Sequence, residues 1–283
     1  MTESLDPRTH SSPAPRRGDE ASAKTRDNIA LVRERLARAK NVMAITGAGI
    51  SAESGIPTFR DEKGLWKEFS PEDYATRAAF RRDPVKVWKW YDERRVNVAQ
   101  ARPNPAHKAL AAMEQPGRRV FIATQNVDDL HERAGSTEVV HIHGSIWRTR
   151  CERDGTAEEN REAPLSEIPP LCMCGEILRP DVVWFGEELP GQPVERIRHY
   201  LIEGRIDLCL IVGTEATFGY IVQWALQARE AGAMVVDVNC RTGVAATNPR
   251  DTRLGSLVDL HLQGNAGDML PKLLQATKLE VRS

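Results

Sequence analysis

The sequence of 283 residues has no excess of charge of either sign, few aromatics and few cysteines, and each shortage removes a class of function. Lys and Arg number 39 against 40 Asp and Glu, a formal net charge of −1. No global field therefore draws the chain to nucleic acid or to a membrane surface. No run of about 18 apolar residues occurs anywhere, so no membrane-crossing helix is expected. Nor does the first stretch hold the apolar centre of a secretion signal. These absences make the cytoplasm the expected compartment. The cysteines are only five, an odd number, and three of them cluster at Cys151, Cys172 and Cys174. In a reducing compartment such a cluster suggests a metal site or nothing, rather than disulfides.

Residues 1–27 are rich in Ser, Pro, Arg and Asp and nearly lack large apolar side chains. They are expected to form a disordered tail, because they cannot bury enough surface to offset chain entropy. The remainder, 28–280, reads as the folded part. Ile29, Val32, Leu36 and Ala39 recur at helical spacing. Short apolar runs at 42–46, 120–124, 208–212 and 234–238 read as strands buried on both faces. Helical patterns lie between them, around 105–114, 194–203 and 221–231. The alternation predicts an α/β fold with a doubly wound parallel (Rossmann-like) sheet. Two stretches break the rhythm and are expected to form a smaller lobe. One is a helical insertion at 63–102; the other is an irregular, cysteine-containing, zinc-ribbon-like insertion at 147–179.

Directly after the first strand comes Gly47-Ala48-Gly49-Ile50-Ser51-Ala52. This G-x-G-x-x-[GA] loop suits a tight turn that brings backbone close to a pyrophosphate at a helix N-terminus. Alone it is a weak signal, equally met in plain tight turns. A dehydrogenase also needs a second strand with an acidic end some way on. Here Ser54-Gly55-Ile56-Pro57-Thr58-Phe59-Arg60-Asp61 follows instead, which is loop.

The full stretch 47–60 resembles the sirtuin signature, and it does not stand alone. Thr124-Gln125-Asn126-Val127-Asp128 resembles the family's nicotinamide-site motif, and His141-Ile142-His143-Gly144 its catalytic motif. The run from Arg179 to Glu187 resembles its substrate-binding segment. Gly213-Thr214, Asn239 and Gly264-Asn265-Ala266-Gly267 follow in family order.

The resemblance implies that NAD is a consumed co-substrate. In sirtuins the acyl-lysine carbonyl displaces nicotinamide, and a histidine then takes a proton from a ribose hydroxyl that attacks the resulting intermediate. Free lysine and O-acyl-ADP-ribose are the products. By position His143 is that base, a role suited to a side chain that titrates near neutrality. His141 is expected to point to the opposite side of an extended segment and to be structural. Asn126 and Asp128 join His143 as catalytic residues, ordering ribose and carboxamide, although Asn and Asp are also ordinary helix caps. Gly47, Ala48, Gly49, Ile50, Phe59, Arg60, Gln125, Gly213, Thr214, Asn239 and Ala266 complete the implied cofactor site. Val182, Val183, Trp184, Phe185 and Gly186 imply backbone pairing with an extended peptide that carries the acyl-lysine. The expected partners are thus protein lysine side chains, with no nucleic acid and no membrane.

Tyr91 and Arg94 stand three apart in the helical insertion and share a helix face. The pair resembles the Tyr-x-x-Arg of sirtuins that remove succinyl, malonyl or glutaryl groups. A guanidinium meets a carboxylate with two parallel bonds, and a phenol adds a third. The plain alternative is a surface pair on a charged helix.

Two departures stand out. Sirtuins commonly hold a structural zinc with two Cys-x-x-Cys pairs, whereas here Cys151 is followed by Asp154 and the second pair is Cys172-Met173-Cys174. Three thiolates and a carboxylate complete a tetrahedral ligand set; the alternative is a lobe held by packing alone. After Gly213-Thr214 stands Glu215 in place of the common Ser, followed by Ala216-Thr217-Phe218-Gly219-Tyr220. Glu215 is expected to point away from phosphates or to meet ribose hydroxyls. An NAD glycohydrolase or ADP-ribosyltransferase, and a non-catalytic NAD or ADP-ribose binding module, are the competing functions. The substrate-binding segment and the Tyr91/Arg94 pair argue against the first, and the retained Asn126, Asp128 and His143 against the second.

Overall fold

The computed structural model describes residues 17–58, 70–240 and 254–275. In chain order the first elements are α1 (Arg17–Arg38), β1 (Asn41–Thr46), α2 (Pro71–Tyr74), α3 (Arg77–Arg82), α4 (Pro84–Gln100) and α5 (Pro105–Met113). Next come β2 (Arg119–Thr124), α6 (Leu130–Arg133), β3 (Val139–His141), β4 (Gly144–Cys151), β5 (Ala157–Glu159) and β6 (Leu178–Val182). The chain continues through α7 (Gly191–Glu203), β7 (Leu208–Val212), α8 (Gly219–Glu230), β8 (Met234–Asn239), β9 (Leu260–Gln263) and α9 (Ala266–Met269).

Six parallel strands form one sheet in the order β3-β2-β1-β7-β8-β9. The alternating side chains of β1 explain its continuous apolar run. Val42 and Ala44 enter the core under α1, α5 and α9, while Met43 and Ile45 enter the core under α7 and α8. A strand covered on both faces needs apolar residues at every position. Helix α1 buries the predicted stripe of Ile29, Val32, Leu36 and Ala39. It begins at Arg17, inside the stretch expected to be a disordered tail. Glu20, Ala21, Ala23 and Lys24 favour helix, which a composition rule about core burial does not register.

The smaller lobe combines both insertions. Its antiparallel sheet, in the order β5-β4-β6, shares an apolar core with α3 and α4. Phe80, Trp88, Trp90, Tyr91, Trp147 and Trp184 all lie in that core. Four of the chain's six tryptophans lie here, where a thin lobe needs large apolar area from few residues. Among the described residues no helix is long and apolar enough to cross a membrane.

The order of strands fixes where a ligand can sit. From β1 the chain winds outward through β2 and β3, then returns to β7 on the other side of β1. The connections that follow β1 and β7 thus lead to opposite sides of the sheet, which makes the carboxyl ends of these two strands its switch point, where such folds bind ligands.

Candidate functional site at the strand switch point

The glycine loop leaves β1 and the Gly213-Thr214 turn leaves β7, and the two are in backbone contact. Gly47 N donates to Val212 O at 3.0 Å, and Gly49 N to Gly213 O at 2.9 Å. A Cβ built on Gly213 meets Ile50 N at 2.4 Å, and one on Gly49 meets the Gly213 Cα at 2.8 Å. Gly213 also has φ +60°, so no other residue fits there without strain. The result is a cradle of bare backbone, which suits a pyrophosphate. Gln125 Nε2 closes its floor, donating to Thr46 O at 3.3 Å and to Thr214 Oγ1 at 2.9 Å. Asn239 Nδ2 donates to Thr214 O at 2.9 Å and so braces the same turn. The side chains of Ile50 and Ala266 are buried in the core, so these two offer the site backbone only. Glu215 is exposed, which agrees with a carboxylate kept away from phosphates. Phe59 and Arg60 lie outside the described residues.

Beside the cradle lies a cavity lined by Ala48, Ser51, Ile56, Arg94, Asn126 and Asp128, among others. Its polar wall is one connected chain of bonds. Asn126 Nδ2 donates to Ser51 Oγ at 3.1 Å, and Ser51 Oγ donates to Asp128 Oδ2 at 3.0 Å. Leu130 N donates to Asp128 Oδ1 at 3.1 Å, so Asp128 holds the start of α6, one residue ahead of the N-cap Asp129, as well as facing the cavity. Burial raises the Asp128 carboxyl above the usual range, against the Leu130 and Ser51 bonds that lower it. Ser51 was not singled out in the sequence, although it sits inside the glycine motif. Behind it, His107 and His131 are buried with their rings 5.0 Å apart. Burial pushes His107 down to about 4 and His131 well below its ordinary value, so both are neutral near pH 7.

The two histidines of the catalytic-like motif behave differently. His141 does not point away from His143, contrary to expectation. Alternate residues of an extended segment share a face. Both rings accordingly turn to the Gln125-Asn126 backbone. His141 Nδ1 donates to Asn126 O at 3.0 Å, and His143 Nδ1 to Gln125 O at 2.9 Å. His141 Nε2 also meets the Glu132 carboxylate at 2.7 Å. Burial opposes its charge, but the Glu132 carboxylate offsets this and raises its pKa. His143 has no carboxylate partner among the described residues, and burial lowers it to about 4. Because the Gln125 carbonyl can only accept, the hydrogen of neutral His143 sits on Nδ1 and Nε2 presents its lone pair. That nitrogen lies 2.5 Å from Tyr220 Oη, a contact that no sequence motif signals. Gly144, at φ +78°, lets the chain turn directly after His143, and a Cβ there meets Asp181 O at 2.1 Å.

Arg94 lines the cavity alongside Asn126 and Asp128. Its guanidinium stacks on the Trp90 ring at 3.2 Å, and Nη1 donates to Trp90 O at 2.7 Å. Burial lowers its pKa to about 10, so it is still charged at neutral pH. Tyr91 is buried one layer behind, and its hydroxyl accepts from Trp184 Nε1 at 3.0 Å. The helix-surface reading of this pair is therefore wrong for both residues.

The segment 182–186 follows β6 and lies against His143. Val183 N donates to His143 O at 2.9 Å, Trp184 N to Glu187 Oε2 at 2.9 Å, and Phe185 N to Ala75 O at 2.9 Å. These three N–H groups are thus engaged within the chain, as are the carbonyls of Val182, which accepts from Arg179 Nη2 at 2.8 Å, and Trp184, which accepts from Glu187 N at 3.0 Å. Val182 and Trp184 are buried, Phe185 is exposed, and Gly186 turns at φ +82°. The buried Arg179 anchors the segment through two bonds to Glu187 at 2.7 and 3.0 Å.

Cys151, Asp154, Cys172 and Cys174 converge in the smaller lobe, with their ligand atoms all within 4.8 Å of one another. Cys151 Sγ and Cys174 Sγ are 3.6 Å apart. Tetrahedral metal–sulfur bonds of about 2.3 Å give a sulfur–sulfur edge of about 3.8 Å, so the donor set fits zinc. The carboxylate takes the corner that a fourth thiolate lacks.

A model of the Sir2 family matches residues 47–218. An NAD-dependent protein deacylase 2 of Pyrobaculum aerophilum is 45% identical over 253 residues, which cover 89% of this chain and 97% of the relative. The solved complex of a Sir2 homologue with NAD is 41% identical, with a TM-score of 0.76, covering 87% of this chain and 92% of that one. A Sir2 structure with a p53 peptide and NAD is 26% identical, with a TM-score of 0.71, covering 85% of this chain and 95% of that one. The chain belongs to the Sir2 family of NAD-dependent protein deacylases.

Proposed function

We propose that this chain transfers acyl groups from protein lysine side chains to the ADP-ribose portion of NAD, and that succinyl and malonyl groups are among those it removes. The observation that carries the acyl preference is Arg94, a charged guanidinium lining the same cavity as Asn126 and Asp128. Burial disfavours that cation, and a substrate carboxylate would favour its charged form through a bidentate bond. The Tyr91 hydroxyl accepts from Trp184 and so keeps its own proton to donate. Tyr91 thereby couples the acyl pocket to the segment 182–186, along which the extended peptide lies.

Bound at the switch point, NAD supplies the ADP-ribose acceptor and nicotinamide as leaving group. The backbone of Gly47, Ala48, Gly49, Ile50, Gly213 and Thr214 holds the pyrophosphate, with Gln125, Asn239 and Ala266 around the riboses. Asn126 and Asp128, kept in register by Ser51, orient ribose and carboxamide. His143 accepts the ribose proton. Cys151, Asp154, Cys172 and Cys174 hold a structural zinc. The unbridged cysteines support a cytoplasmic location.

Arg94→Met tests the acyl assignment on matched acetyl-lysine and succinyl-lysine peptides. Loss of a charged bidentate contact costs about 1.5–3 kcal/mol, so kcat/KM for the succinyl peptide should fall about 10- to 100-fold. The acetyl peptide should lose far less. Equal losses on both peptides would make Arg94 a structural residue.

A further inference from the structure

We propose that Tyr220 is a further catalytic residue, a relay whose hydroxyl carries the ribose proton to Nε2 of His143. The inference rests on His143 being the base, and goes beyond it.

The geometry allows one assignment of protons. The Gln125 carbonyl can only accept, so His143 Nδ1 carries hydrogen and Nε2 is the acceptor. At 2.5 Å the Tyr220 hydroxyl therefore donates to Nε2. The lone pair that should take the ribose proton is already engaged, and the oxygen beside it has lone pairs of its own. A ribose hydroxyl arriving at this base meets Tyr220 Oη. In the transfer Tyr220 Oη accepts the ribose proton while its own proton passes to His143 Nε2. One O–H bond breaks at the ribose and one forms at Tyr220. The old Tyr220 O–H bond breaks, an N–H bond forms on His143, and the ribose oxygen keeps its electron pair for attack. Tyr220 ends as it began, and His143 ends as imidazolium.

Tyr220 is held for this task. Its ring stacks on Phe218 at 5.5 Å between centroids and 8° between planes, and packs on Trp224 at 5.0 Å. Phe218 also meets the His143 ring edge-on at 5.7 Å. Ala216, buried at φ +50°, bends the chain between the Thr214 turn and this aromatic pair. A non-glycine residue in the left-handed region is strained, and such strain concentrates at functional sites. Burial raises the Tyr220 phenol, which disfavours phenolate and so favours concerted transfer over a stepwise one. The segment is also where this chain departs from the Ser that sirtuins commonly carry after Gly-Thr.

Tyr220→Phe keeps the ring stack and removes the hydroxyl. In the protein without NAD, the 15N resonance of His143 Nε2 should move to that of an acceptor lacking a hydrogen bond. With NAD and acyl peptide, kcat for deacylation should fall about 10²-fold, the low end of what a positioned proton acceptor contributes. Nicotinamide exchange, which precedes the proton step, should persist. The proton inventory in mixed H2O and D2O should change from curved, for two protons in flight, to linear. An unchanged 15N resonance would overturn the proposal. So would undiminished kcat with tighter NAD binding, which would make the hydroxyl a plug on Nε2. Equal loss of exchange and deacylation would make Tyr220 structural. His143→Ala separates the two levels, because full deacylation in that variant removes the base itself, whatever Tyr220 does.

Discussion

His143 and His141 stand two residues apart and donate to neighbouring carbonyls, yet their pKa values move in opposite directions. The difference is one carboxylate. Glu132 sits 2.7 Å from His141 Nε2, whereas His143 Nε2 faces a phenol. With His143 lowered to about 4, the base is available well below the ordinary histidine value of about 6.5. The acid limb of kcat/KM should therefore lie below pH 6, and a pH–rate profile checks it. A limb centred at about 6.5 or above would mean that burial does not depress this group. The motif alone pointed to His143, because histidine in that position carries the family's chemistry. Tyr220 could not be found that way, since its contact with His143 spans 77 positions in sequence.

At the scale of elements, the peptide-facing segment depends on a charge pair rather than on a strand ladder. Arg179 is 4% exposed and Glu187 16%, and Arg77 adds a further bond to Glu187 at 2.7 Å. Burial opposes the Glu187 charge, but its bonds to Arg179, Trp184 N and Arg77 hold its carboxyl down at about 2. That stabilisation is fully present above the unfolded value of about 4.3, and is lost as pH falls through about 2. Glu187→Gln leaves a buried guanidinium half-paired and should cost about 3 kcal/mol, read as a lower denaturation midpoint at neutral pH. A change under about 0.5 kcal/mol would show that solvent takes over the pairing. The four central strands were legible because strands buried on both faces must be apolar at every position. β3 and β9 were not, since a three-residue strand and Leu-His-Leu-Gln carry little pattern. The same limit hid the small sheet, whose β4 begins at Gly144, ahead of the expected insertion.

For the whole molecule, the sheet order places two loops at one crevice, and the smaller lobe brings Arg94 to its mouth. The same packing leaves three histidines neutral, His107 and His131 buried and His143 partly buried. His107 and His143 are lowered to about 4, and His131 lies well below its ordinary value. Above about pH 6.5 neither the folded nor the unfolded chain protonates these rings, so they cost nothing. Below it the unfolded state binds more protons, and stability falls as pH drops from about 6.5 towards 4. His141, raised by Glu132, works the other way but is one group against three. The thermal midpoint should therefore decline steadily across this window, before most carboxylates titrate. A flat midpoint down to pH 4.5 would contradict the buried neutral assignment.

The central claim is that this crevice couples NAD cleavage to removal of an acyl group from lysine. Mass spectrometry of matched acetyl-lysine and succinyl-lysine peptides, incubated with the protein with and without NAD, tests it most directly. The account predicts free lysine, nicotinamide and O-acyl-ADP-ribose in equal amounts, formed only when NAD is present, with turnover of the succinyl peptide. NAD loss that is independent of either peptide, or no turnover of both by folded protein, would contradict it.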